Sequence, residues 1–117
     1  MNTLYVNGRF LTQPVTGVQR FALGICKELA QLIPDFKIVV PNGTKVDEES
    51  LRQFLVEVGR LKGTIWEQVN LNGFMKSKGA LLLNLCNTAP LGYHRNIVTI
   101  HDLGVFRNSD WYDWKFA

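Results

Sequence analysis

Apolar positions change their spacing several times along this chain, and each change predicts an element. Leu4-Tyr5-Val6 is a short apolar run stopped by Asn7-Gly8, as expected of a first strand. After a loop through Pro14, Val18, Phe21, Ala22, Ile25, Cys26, Leu29, Leu32 and Ile33 recur at helical spacing and predict an amphipathic helix. Thr16 and Gln19 stand at capping-box spacing at its start, and Pro34 marks its end. Ile38-Val39-Val40, bounded by Pro41-Asn42-Gly43, predicts a second strand. A short helix over Asp47 to Arg52 and a third strand over Phe54 to Val58 follow. Trp66, Val69 and Phe74 then fall on one side of a segment from Trp66 to Met75 that reads as helix, although Asn70, Asn72 and Gly73 lower its propensity. The apolar runs Ala80 to Leu85 and Ile97 to Ile100 predict strands of the central sheet, covered on both faces.

Strands alternating with helices in this order predict an α/β fold: a Rossmann-like, open, mainly parallel sheet with helices on both faces. In such sheets ligands sit beyond the carboxyl ends of the strands, so the loops after strands carry the functional expectation. The 117 residues suit a single domain spanning 1–117.

Composition narrows the class without naming a chemistry. A hydrophobic fraction of 46% and a charged fraction of 20% are ordinary for a globular protein. The net charge of +3 comes from basic residues scattered from Arg9 to Lys115, which disfavours nucleic acid as a partner. It is compatible with phosphorylated substrates or peripheral contact with an anionic membrane face. The two cysteines, Cys26 and Cys86, form no C-x-x-C pair, and Cys26 is expected to be a small buried thiol. The amino terminus lacks a signal-peptide profile, so a cytoplasmic location is expected. Phe106, Trp111, Tyr112, Trp114 and Phe116 crowd aromatic surface near the end of the chain, which suggests either a fragment of a larger structure or an oligomer contact.

Polar clusters after the predicted strands are the candidate chemistry. Gly17 at the first turn of helix one would let a ligand approach backbone amides that favour a phosphate, and Arg20 could add a charge-assisted hydrogen bond. The plain alternative is a tight turn and a solvated arginine. His101 closes an apolar strand and brings a titratable ring to the ligand edge, with Asp102 beside it; a structural histidine is the competing reading. Asn87 and Thr88 before Pro90 offer hydrogen bonds to a sugar or diphosphate, or simply form a turn. Trp66-Glu67 reads as a helix start, with the tryptophan in the core and the glutamate complementing the helix dipole. No spacing supports a zinc site, a serine triad or a P-loop, and no G-x-G-x-x-G turn supports a nicotinamide cofactor.

Taken in order, Asn7-Gly8-Arg9-Phe10, Thr16-Gly17-Val18-Gln19-Arg20, Trp66-Glu67-Gln68, Asn87-Thr88-Ala89-Pro90-Leu91 and Val98-Thr99-Ile100-His101-Asp102-Leu103 resemble the amino-terminal domain of family 4 glycosyltransferases. The set looks nearest to bacterial mannosyltransferase-like members that build surface polysaccharides. The resemblance implies the amino-terminal half of a two-domain GT-B fold, with a nucleotide-sugar donor, a glycan or lipid-linked acceptor, retention of configuration and no required metal or other cofactor. It implies Gly17 and Arg20 near the donor phosphates, His101 facing the donor sugar, and Asp102, Asn87 and Thr88 as substrate contacts. The donor-binding carboxyl-terminal domain has no counterpart in these residues, so the chain by itself is expected to be inactive. The competing class is a non-catalytic Rossmann-like binding or interaction module.

Overall fold

The computed structural model of the chain describes residues 3–14, 16–33, 35–86 and 88–99. Pro34, Ile100 and the aromatic-rich stretch from Phe106 to Phe116 lie outside them. Five strands, β1 (Leu4–Asn7), β2 (Phe36–Val40), β3 (Leu55–Glu57), β4 (Leu82–Asn84) and β5 (Asn96–Val98), form one sheet in the order β3-β2-β1-β4-β5. Every neighbouring pair is parallel. The result is a Rossmann-like α/β arrangement in which all described strands end on one edge.

Helix α1 (Gly17–Leu32) connects β1 to β2. Its start is tied by Thr16 and Gln19, whose side-chain carbonyl accepts the Thr16 amide at 3.2 Å and also the Thr16 hydroxyl. Ala22 and Cys26 are its fully buried residues, and they pack with Val6, Phe36, Ile38 and Val40 in one core. The outer part of the predicted stripe is not covered: Leu32 is 74% exposed. Phe21, in the second turn, is 42% exposed as well.

The opposite face is covered by a second helix, continuous through an α-helical turn (Gly63–Ile65), a π-helical stretch (Trp66–Leu71) and an α-helical stretch (Asn72–Lys78). It begins before Trp66, not at it. The π-helical geometry lets Trp66 and Leu71, five residues apart in sequence, both turn inward. They pack with Met75, Val39, Leu82 and Tyr93 in a second core, and the Trp66 indole donates to the Val58 carbonyl at 2.7 Å. Strand alternation explains the division: Ile38 and Val40 face α1, while Val39 between them faces the second helix.

The short helix expected over Asp47 to Arg52 is a 3-10 segment, Glu49–Phe54. The run at 97–100 predicts a central strand covered on both faces, and the structure differs. Among the described residues β5 is an edge strand, and Ile97 is 44% exposed. A four-residue apolar run has the same appearance whether one or both of its faces are covered.

Gly8, in the 3-10 turn Gly8–Thr12 directly after β1, is required by packing. A β-carbon there would stand 2.5 Å from the Val39 carbonyl oxygen and 2.6 Å from Val40 Cγ1. The turn is thereby pressed onto β2, and this close approach aims Asn7 and Arg9 over the carboxyl edge of the sheet.

Candidate functional site

The strand order reverses direction between β1 and β4, where chain connections leave to opposite faces and a crevice opens at the carboxyl ends. Three buried polar side chains meet there. Asn7 ends β1, Asn84 ends β4, and Glu67 points in from the second helix. The Asn7 amide nitrogen donates to Glu67 Oε2 at 2.7 Å and to Asn84 Oδ1 at 2.9 Å. Its carbonyl accepts the Arg9 amide at 3.1 Å, so every Asn7 side-chain hydrogen-bonding group is engaged. Asn84 in turn donates to the Ile97 carbonyl and to Asn96 Oδ1, each at 3.1 Å. A polar chain thus runs from β5 under the carboxyl ends of β4 and β1 to Glu67.

Glu67 is 1% exposed and is the hub of this cluster. The Thr88 hydroxyl donates to Oε2 at 2.9 Å, and the Arg9 guanidinium stands 3.6 Å from Oε1. A buried carboxylate requires such partners, because an unpaired one would cost several kcal/mol of lost hydration. The role expected from the sequence, a helix-start residue complementing the dipole, is therefore corrected. Glu67 lies a turn inside the helix, and the π-helical stretch directs it onto the sheet edge.

Beside the cluster is a pocket of about 70 Å³ lined by Asn7, Arg9, Glu67 and Thr88, with Phe10 and Leu85 among its apolar walls. Gln13 also lines it and accepts from the Gln19 side chain at 3.0 Å, which links the pocket wall to the first turn of α1. The Cys86 thiol lies 4.0 Å from the Val18 carbonyl, so the exit of β4 and the opening of α1 are in contact.

Of the residues singled out in the sequence, Thr88 is at the pocket. Gly17 opens α1 next to it, exposed, and a β-carbon there would meet nothing within 4 Å. Packing therefore does not demand glycine at this position. Arg20 is exposed on α1 and is not among the pocket residues. Asn87, His101 and Asp102 lie outside the described residues. Thr99, just before them, donates its amide to the Asn84 carbonyl at 2.8 Å, at the same edge.

Asn7, Asn84 and Glu67 were not read as site residues from the sequence. The available signal was local: Asn84 interrupts the run 80–85, and Asn7 closes an apolar strand. Their pairing spans sequence separations of 60 and 77 residues, which only the fold brings together.

Burial pushes the Cys26 thiol up to about 12, with Cys86 nearby adding to the shift, and burial pushes Cys86 up to about 11. Both stay protonated at neutral pH, and the thiolate is the reactive form. Iodoacetamide at pH 8, followed by mass spectrometry, is expected to label Cys86 about 100-fold and Cys26 about 1000-fold more slowly than a free cysteine. Rapid labelling of Cys86 would show that its thiol is not packed as described. Since the folded-state value of Cys26 lies above the ordinary 9.0, its contribution to stability is complete below pH 9 and is lost as pH rises towards 12.

Among the described residues no three His, Cys, Asp or Glu side chains are grouped as a metal site requires. Among the same residues no helix is long and apolar enough to cross a membrane. Fold and site define a Rossmann-like α/β protein with a buried polar cluster at its switch-point crevice. The chain matches no family model, no curated protein and no solved structure.

Proposed function

We propose that the chain is the acceptor-side domain of a retaining glycosyltransferase that moves a mannose-like hexose from a nucleotide-sugar to a polysaccharide or lipid-linked acceptor. The observation that carries the reading is the meeting of three segments at one crevice: the end of β1, the opening turn of α1 and the loop after β4. Each holds part of the ordered motif set that resembles family 4 enzymes.

In this reading the opening turn of α1 at Gly17 and the positive end of the helix attract the donor diphosphate, and Arg20 adds charge from the first turn. His101 faces the donor sugar and stabilises charge developing as the sugar leaves its diphosphate. Asn87, Thr88 and Asp102 contact substrate. The chain's own partner is a donor-binding lobe that closes the crevice, and the site works without a metal. The protein works on the cytoplasmic side, with peripheral contact to the inner face of the membrane.

The test is sugar transfer by the protein carrying both lobes, assayed with a panel of nucleotide-sugars. His101→Ala is expected to lower turnover about 100-fold or more with the donor still bound. Wild-type turnover in that variant would remove His101 from the mechanism. Donor binding without transfer to any acceptor would instead favour a binding module.

A further inference from the structure

We propose that the pocket beside Glu67 is a subsite for one neutral hydroxyl group of a sugar, held between the Glu67 carboxylate and the Arg9 guanidinium. The inference rests on the proposed function only for the ligand being a sugar; the hydroxyl itself is argued from the pocket.

The two carboxylate oxygens are unequally served. Oε2 accepts from Asn7 at 2.7 Å and from Thr88 at 2.9 Å. Oε1 has only long contacts, 3.5 Å to the Gln68 amide nitrogen and 3.6 Å to Arg9. A good charge-assisted bond would be about 2.8 Å. Because Glu67 is 1% exposed, the missing donor can reach Oε1 only through the pocket, where a ligand hydroxyl takes the place that water would otherwise fill. The underserved oxygen therefore belongs to an atom that enters the pocket.

Charge selects what that atom is. An anion would meet Glu67, and a cation would meet Arg9. A neutral group escapes both repulsions if it can donate to one and accept from the other. A hydroxyl does this with a single oxygen, and one oxygen about 2.8 Å from each partner spans the 3.6 Å gap. A carboxamide also carries both a donor and an acceptor, and an amide control separates the two groups. The volume of about 70 Å³ has room for a few water-sized groups, as a hydroxyl or hydroxymethyl requires. Phe10 and Leu85 give the carbon-bound hydrogens an apolar wall, and exposed Thr88 leaves the mouth accessible to the rest of the ring.

The experiment is a titration of the isotope-labelled chain with methyl glycosides of mannose, glucose and galactose, followed by ¹H–¹⁵N correlation spectra. For the glycoside that binds, analogues lacking one hydroxyl each are then compared, with acetamide as the amide control. The Asn7 side-chain amide and the Thr88 backbone amide are expected to shift together and saturably. One deoxy analogue should bind roughly 10- to 100-fold more weakly, the loss of one hydrogen bond to a charged group. Glu67→Gln and Arg9→Gln should each weaken binding about tenfold, with peak dispersion reporting that the fold is intact. Arg9 is partly exposed, so its variant does not depend on repacking the buried cluster. The proposal is overturned if no glycoside moves the pocket signals, if every deoxy analogue binds equally, or if acetamide competes as well as the sugar. Binding here by a two-lobed protein that transfers nothing would sink the glycosyltransferase reading and leave the subsite standing; transfer with silent pocket signals would do the opposite.

Discussion

Glu67→Ala is expected to lower the free energy of unfolding by about 3 kcal/mol in urea or thermal denaturation. Truncation removes the acceptor for Asn7 at 2.7 Å and for Thr88 at 2.9 Å and leaves Arg9 without its carboxylate. Asn7 cannot turn elsewhere, because its other amide hydrogen is engaged by Asn84 and its carbonyl by Arg9. Glu67→Gln keeps the shape and an acceptor oxygen, so it should cost about half as much. A cycle combining Glu67→Ala with Asn7→Ala should show coupling of about 1–2 kcal/mol, as expected of directly bonded side chains. A Glu67→Ala variant as stable as the wild type would mean that water substitutes fully for the carboxylate, and the cluster would then not organise the crevice.

Gly8→Ala is expected to cost a comparable amount, about 3 kcal/mol, for a steric reason. The added methyl would stand 2.5 Å from the Val39 carbonyl oxygen and 2.8 Å from Ile38 Cγ2. Neither can retreat, because Ile38 and Val39 are in register with Val6 and Asn7 across the parallel pair. Relief would come from displacing the turn, carrying Asn7 and Arg9 with it, so the loss of pocket geometry should accompany the loss of stability. Gly17→Ala is the control. With open space at that position and a better helix former in the first turn, its effect on stability should be within about 0.5 kcal/mol. If the α1 amides do receive a donor phosphate, the same methyl should weaken donor binding while leaving the melting temperature unchanged. Equal destabilisation by both alanines would contradict the packing described around β1.

These two glycines illustrate how much of the site was legible in the chain. Both looked like turn residues. Gly17 carried the functional expectation, yet the tight backbone approach is at Gly8, where the neighbouring backbone belongs to β2, some thirty positions further along the chain. Trp66-Glu67 gives the same lesson from a helix. The tryptophan's burial followed from its apolar character. The glutamate's did not, because a charged residue beside a tryptophan at a helix start is usually solvated.

Local pattern was sufficient for what depends on near neighbours. The spacing of Val18 to Ile33 with the Thr16 and Gln19 cap specified α1, and the runs at 4–6, 38–40, 80–85 and 97–100 specified strands and hence an open parallel sheet, because periodicity and capping act over a few residues. The tertiary structure alone decided that β4 lies against β1, that the second helix adopts π-helical geometry at Trp66–Leu71, and that Asn7, Asn84 and Glu67 share one buried network. Those outcomes depend on pairing between distant segments and on the cost of burying polar groups without partners, and neither quantity is carried by any short stretch of sequence.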